Sequence, residues 1–536
     1  MTEYDYVVIG AGSAGSVLAS RLTGNSRCSV LLLEAGGSDR RLWIQLPVGY
    51  GKSFYNPAVN WMYETEPDPA LGNRRGYWPR GKVLGGSSSI NAMVFVRGLA
   101  RDFDDWRALG NSGWGSADVL PYFIKLEDYR GEPAPTRGLG GPLTVSDVSS
   151  ECHPLCDVFF RACAEAGLPR SPDFNGPDPE GVGFYQITTR DGWRMSAARA
   201  YLRPAMKRPN LTVEIRAMAT RILFAAGRAV GVEYFQHGER QVVRARGEII
   251  LAAGAVNSPQ LLQLSGIGPG RLLQEHGIAS LCDSPAVGEH LQDHLCIDHL
   301  YRSRLATLNE DFGRWWGRIR CGLRYALGRR GPLSISVNQA GGFVRSDAAL
   351  REPDIQLYFS PLSYTRARPG RRALMQPDRF SGFLLGAQPC RPTSRGHVQI
   401  RSPDPLARPR IVANSLSTDH DVRELLQATK FLRNLASRPG FAAVIAEELK
   451  PGPAVATDDE LLADVRARAS SVFHPVGTCR MAPDLASGVV DRHLSVHGVE
   501  GLRVIDASVF PTLTSGNTNA PVIMVAEKAA DLILGG

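Results

Sequence analysis

The chain has 536 residues, of which 43% are apolar and 21% charged. That length exceeds what one hydrophobic core fills, so two or more domains of an ordinary soluble globular protein are expected. The net charge of +8 is modest, and Arg is scattered without a concentrated tail, which speaks against a nucleic-acid partner.

In chain order, the first readable unit is a strand, Tyr4 to Ile9, opening directly without a basic and apolar leader. An exported chain is therefore not expected, and no run of about 18 apolar residues supports a membrane span. Next comes Gly10-Ala-Gly12-Ser13-Ala14-Gly15, then a helix-like stretch, then a second strand ending on Glu34 and Ala35. The glycines fit a dinucleotide fingerprint: one for the tight turn, one for backbone approach to a pyrophosphate, one for close helix packing. Amides at that helix start would hold the diphosphate, and Glu34 sits where an acid accepts a ribose 2′-hydroxyl. This unit implies an adenine dinucleotide but leaves FAD and NAD both open.

A Gly/Ser-rich stretch, Arg80-Gly-Lys-Val83-Leu-Gly85-Gly86-Ser87-Ser-Ser-Ile90-Asn91, follows. Its amides and hydroxyls are free to lie along a diphosphate. Cys152, Cys156 and Cys163 could share a helix face. They read as buried thiols, because no His or second Cys pair completes a metal set. The nine cysteines, odd in number and irregularly spaced, fit a reduced, cytoplasmic setting.

Residues 211–268 again have an α/β look, with Glu248-Ile-Ile-Leu-Ala-Ala253-Gly254 as a buried strand running into a turn. His290 and His294 have i, i+4 spacing, but no third ligand accompanies them, so they read as helix residues and no metal is expected. Residues 312–330 place Phe312, Trp315, Trp316, Ile319 and Leu323 at helical spacing with Arg between them. Such a helix could lie on a membrane surface or cover a substrate pocket; packing on its own domain with Arg in solvent is the plainer expectation. From 295 to 465 the pattern alternates, as at Asp354 to Phe359 and His397 to Arg401, predicting a mostly antiparallel sheet with one exposed face. A helix is predicted over Asp419 to Ala436, and a third α/β block, 470–534, holds Leu502-Arg-Val-Ile-Asp506.

The fold predicted is α/β: a Rossmann-like nucleotide domain built from discontinuous segments (1–150, 205–295 and 470–536), with an inserted α+β substrate domain (151–204 and 296–469). Four further stretches sharpen this. The Arg80–Asn91 block, Gly254 to Gly268, His474-Pro-Val-Gly-Thr-Cys-Arg-Met481, and Asp506-Ala507 to Asn517-Thr518-Asn519 resemble, in order, the sequence blocks of the glucose–methanol–choline (GMC) oxidoreductases.

That resemblance implies FAD rather than NAD. It implies that Asn91, Ala92, Met93 and Val94 lie beside the isoalloxazine, with Ala219, Ala253, Gly254, Asp506, Ala507, Asn517 and Thr518 also at the cofactor. Some relatives attach the flavin through a His immediately before the Asn; here that residue is Ile90, which implies non-covalent FAD. His474 matches the family's catalytic base, and Asn517 the group that holds the substrate oxygen. Imidazole has a suitable intrinsic pKa for the proton, while the hydride needs a flavin. Phe473, Tyr358 and Phe359 are candidates for lining a pocket for an apolar or aromatic primary alcohol. The reading is an alcohol oxidoreductase passing electrons to a quinone or other acceptor, possible peripheral membrane contact being made through 312–330. An oxygen-using oxidase, a flavin-containing lyase and a light-driven decarboxylase are the alternatives.

Overall fold

The computed structural model describes residues 3–365 and 376–535. Two sheets organise them. In the first, Glu3–Ile9 lies between Val30–Glu34 and Glu239–Leu251, all parallel, with Leu211–Ile215 added beyond Val30–Glu34. The short strand Leu502–Val504, almost 500 residues from the first, pairs in parallel with the end of Glu239–Leu251. Val30–Glu34 and residues 7–9 and 249–251 of the two longer strands are buried on both faces, as a parallel sheet covered by helices requires. Met218–Ala225 and Arg228–Gln236 fold back as an antiparallel ribbon on the start of the long strand, an extension that the sequence reading did not resolve.

Helices Ser13–Leu22 and Asn519–Leu534 pack together on this sheet, with Val17, Leu18, Ile523 and Val525 fully buried. Each such side chain contributes roughly 1.5–3 kcal/mol of transfer free energy. Gly15 permits the close packing: a Cβ there would sit 1.8 Å from the Gly10 carbonyl oxygen. Gly10 has φ +99°, so the tight turn suits no residue with a side chain.

The second sheet is antiparallel. Gly382–Pro389 lies between Ile355–Ser360 and Leu295–Ser303, with Ala340–Val344 and Ile445–Lys450 outside them. The predicted helix is present as Asp419–Ala436 and packs on this sheet. The exposed face predicted for that sheet is missing at Asp354 to Phe359. Ile355–Ser360 is buried throughout: Ile355, Leu357 and Phe359 enter the inserted core, while Tyr358 turns to a cavity against the first sheet. The alternation in sequence marks a cavity face rather than a solvent face. Among the described residues, His397–Gln399 belongs to neither large sheet and pairs with Arg410–Val412.

Two other expectations change. Cys156 and Cys163 lie buried on helix Leu155–Glu165, but Cys152 precedes that helix. Residues 289–294 form no helix: His290 has a left-handed φ of +61°, and Leu291 and Gln292 make isolated bridges. No helix among the described residues is long and apolar enough to cross a membrane.

Candidate active site

A cavity of about 360 Å³ runs between the two sheets, from the glycine turn to His474. At the nucleotide end, Gly10, Gly12, Ser13, Ala14, Glu34 and Ala35 line it, faced by Ala219, Ala253 and Gly254. Gly12 caps helix Ser13–Leu22 without any side-chain hydrogen bond, leaving the first-turn amides to a ligand. Gly86 closes on the same turn at φ +52°; a Cβ there would come within 2.7 Å of Gly12 Cα. Two glycine backbones thus form a cradle that side chains would fill, and its charge favours a diphosphate. Glu34 is buried, and its carboxylate accepts from the amides of Ala11 (2.9 Å) and Gly36 (2.8 Å). Burial pushes its pKa up to about 7 despite those bonds, so hydroxyl donors from a ribose would be welcome there. Asp506 accepts from the Gly254 amide (2.8 Å) and the Ser258 hydroxyl (2.6 Å), tying Leu502–Val504 to the turn after the long strand. These residues fit an adenine dinucleotide.

Not every predicted cofactor residue reaches the cavity. Gly15, Val83 and Gly85 stand behind its wall; the Gly85 amide bonds the Ala11 carbonyl (2.7 Å), holding the Gly/Ser loop against the glycine turn. Ser87, Asn91, Ala92, Met93, Val94, Ala507 and Thr518 do line it. Arg80 also lines it, but its guanidinium is spent elsewhere, donating to the Phe473 carbonyl at 2.6 Å. Phe359 is corrected outright: strand parity turns it away from the cavity to stack on Phe159 in the inserted core. Phe473 and Tyr358 remain on the wall.

At the far end, Asn517 Nδ2 faces His474 Nε2 at 3.2 Å. Two residues that the sequence reading did not assign to the site set this geometry. Gln356 Nε2 donates to Asn517 Oδ1 (3.3 Å), turning the Asn517 amide hydrogens toward His474. His294 Nδ1 lies 3.0 Å from His474 Nδ1, and His294 Nε2 lies 2.9 Å from the Cys390 carbonyl oxygen. A carbonyl only accepts, so His294 carries its proton on Nε2 and offers the Nδ1 lone pair. His474 must then donate from Nδ1, which leaves its Nε2 unprotonated and facing Asn517.

Burial holds His474 well below the ordinary imidazole pKa, with the nearby His294 and Arg80 adding to the effect. His294 is likewise lowered by burial, to about 4. Both rings are neutral near pH 7, as a ready base requires. The loop is pinned by Asp293, which accepts the His474 amide at 2.7 Å, and Phe473 is held at φ +72°. Such a backbone persists only when its surroundings enforce it.

Comparison with known proteins agrees with this architecture. Models described as GMC oxidoreductase match residues 4–296 and 392–526. The chain belongs to the GMC oxidoreductase family. It is 43% identical to an alcohol dehydrogenase [acceptor] of Pseudomonas putida, over 99% of this chain and 96% of that one. It is 42% identical to an oxygen-dependent choline dehydrogenase of Photobacterium profundum, over 100% and 93%. Pyridoxine 4-oxidase from Mesorbium loti superposes with a TM-score of 0.90 at 31% identity, over 99% of both chains. Formate oxidase gives 0.92 at 27% identity, over 100% of this chain and 98% of that one. This GMC oxidoreductase is an FAD enzyme acting on CH–OH donors.

Ile90 is buried among Ile44, Val59 and Val83 and borders the cavity, so no nucleophile stands at that position. Acid or heat denaturation is expected to release free FAD into the supernatant. Yellow colour remaining with the precipitate would show a covalent link elsewhere.

Proposed function

We propose that this protein oxidises a primary alcohol with an apolar or aromatic tail to its aldehyde, and passes the electrons to a quinone rather than to oxygen. In this reading the segments 1–150, 205–295 and 470–536 hold the cofactor, while 151–204 and 296–469 shape the substrate pocket. The observation that carries the chemistry is the unprotonated Nε2 of His474 opposite the Asn517 amide, inside a cavity walled by Tyr50, Phe54, Trp61, Tyr358 and Phe473.

FAD, when bound, supplies the hydride acceptor. His474 Nε2 takes the hydroxyl proton, and Asn517 Nδ2 donates to the oxygen as negative charge gathers there. Gln356 keeps the Asn517 amide facing inward. The aromatic walls exclude water and bury an apolar tail. The name of the Pseudomonas putida relative, an alcohol dehydrogenase [acceptor], fits a dehydrogenase, whereas that of the Photobacterium profundum relative names oxygen.

A second substrate reading has its own observation. Asp298, on strand Leu295–Ser303, lines the same cavity, placing a carboxylate on the side of the sheet that carries Tyr358. That combination would hold a quaternary ammonium alcohol, and the choline dehydrogenases among the relatives point the same way.

A panel of alcohols, mixed anaerobically with the holoenzyme and then assayed with oxygen and with an artificial acceptor, tests both readings. Apolar primary alcohols are expected to bleach the flavin fastest, with turnover faster on the artificial acceptor than on oxygen. Bleaching by choline alone would establish the second reading, and no bleaching by any alcohol would remove the oxidation.

A further inference from the structure

We infer that helix Trp315–Gly328 docks this protein on an anionic membrane surface. The helix turns the wrong face outward for a globular protein. Trp315, Ile319, Leu323 and Leu327 form a single ridge, four residues apart, and are 74%, 53%, 57% and 87% exposed. Trp316 lies beside them, while only Gly317 and Cys321 are buried. A helix packing on its own core buries its large apolar side chains and exposes its polar ones. Here the small residues face the protein and the large ones face solvent, opposite to the expected packing.

The helix is firmly seated, so this face is built rather than frayed. A Cβ on Gly317 would fall 2.6 Å from the Glu310 carbonyl oxygen, which shows how closely the helix lies on Leu308–Gly313. Arg320 pairs with Asp311, Arg324 with Glu151 at 2.9 Å, and the Tyr325 hydroxyl donates to the Gly192 carbonyl at 2.9 Å.

The surroundings repeat the chemistry. Residues 312–330 include Arg314, Arg318, Arg320, Arg324, Arg329 and Arg330 and no acid; Glu310, Asp311 and Glu151 pair with Arg314, Arg320, Arg324 and Arg330, and Arg318 and Arg329 stand outside those pairs. Nearby, Leu42 and Trp43 are exposed, and the Lys52 ammonium sits 3.4 Å over the Trp43 ring and feels the charge of Arg318. Arg329 lies 5.0 Å over the ring of Trp193, which meets Tyr325 edge-on. Trp and Leu interleaved with Arg and Lys suit the boundary between headgroups and acyl chains. There the indoles settle at the headgroup level while guanidinium groups reach lipid phosphates. A second copy of this chain fits worse, because its own 312–330 offers no acid to meet Arg318 and Arg329, whereas lipid phosphates do.

Docking also has a use. Phe312, just before the helix, packs in one cluster with Tyr50, Phe54, Met93, Val337 and Tyr364, all on the cavity wall. A membrane beneath the helix would bring lipid-soluble molecules close to that wall. This use, but not the docking, rests on the quinone reading above.

Flotation of the full-length holoenzyme with phosphatidylcholine vesicles, with and without phosphatidylglycerol, tests the inference. The protein is expected to float with the anionic vesicles, less so as salt is raised. Trp315→Ser/Leu323→Ser is expected to weaken binding about tenfold or more. Arg318→Glu/Arg329→Glu should lose about fivefold or more per position. Both variants should keep wild-type turnover with a soluble acceptor, since none of the four residues lines the cavity. Wild-type protein left unbound by anionic vesicles would overturn the inference, as would variants that bind like wild type. A dimer that Trp315→Ser/Leu323→Ser dissociates, without vesicle binding, would assign the face to a second copy instead. Vesicle binding without quinone turnover leaves the docking standing and removes the acceptor reading; quinone turnover in detergent without vesicle binding does the reverse.

Discussion

His474→Ala is expected to retain FAD and fold yet reduce its flavin ~100-fold or more slowly, the scale of a lost general base. Retention follows from the architecture: the residues that fit the dinucleotide are the glycine turn, Glu34 and the Gly12–Gly86 contact, at the other end of the cavity. Asn517→Ala leaves the base and removes one donor to the developing alkoxide, so a smaller loss is expected. The double variant should fall little below His474→Ala, because both groups hold one oxygen and act as a unit. The pH dependence follows from burial. His474 is active when neutral, and its pKa is lowered from 6.5, so activity is present above the lowered pKa and lost as pH falls through it. The acid limb of kcat/KM should therefore lie below pH 6.5, with a plateau through neutrality. Anaerobic stopped-flow reduction across pH measures all of this, and a His474→Ala variant reducing at the wild-type rate would place the base elsewhere.

What was legible in the sequence is what is local. Gly10, Gly12 and Gly15 report a turn and a close approach decided within one supersecondary unit, and Glu34 ends the next strand in register. His474 and Asn517 lie in stretches that resemble the family's blocks. Partnerships across the chain were not legible. His294 and His290 suggested a helix by spacing, yet the stretch is irregular, and the partner of His294 is 180 residues away. Gln356 orients Asn517 from 161 residues away, and nothing in its neighbours announces that. Phe359 was misassigned for want of strand parity: alternation shows that 357 and 359 share a face, but not which face meets the cavity. The helix after Phe312 repeats the point, since its period identifies an apolar ridge without saying what covers it.

His294→Leu is expected to slow flavin reduction about 10–100-fold, although His294 lies behind the base, bonded to its far nitrogen. Leucine offers no acceptor to His474 Nδ1–H and no donor to the Cys390 carbonyl, so two buried polar groups lose their partners. Leaving each unsatisfied costs about 1–3 kcal/mol, and His474 can recover part of that by moving its proton to Nε2, where it cannot act as a base. His294→Asn separates this from a packing defect. Its Oδ1 can accept from His474 Nδ1 while its Nδ2 donates to the carbonyl, so its plateau rate should return most of the way to wild type. The pH profile gives an independent reading. Burial is the main cause of the lowered His474 pKa and persists in both variants, so the acid limb should stay below pH 6.5 in both, while only His294→Leu loses plateau rate. If the leucine variant keeps the wild-type plateau, the tautomer of His474 is set by something other than His294. If the asparagine variant falls as far as leucine, the second imidazole ring itself is required, and hydrogen-bond polarity alone does not explain its place behind the base.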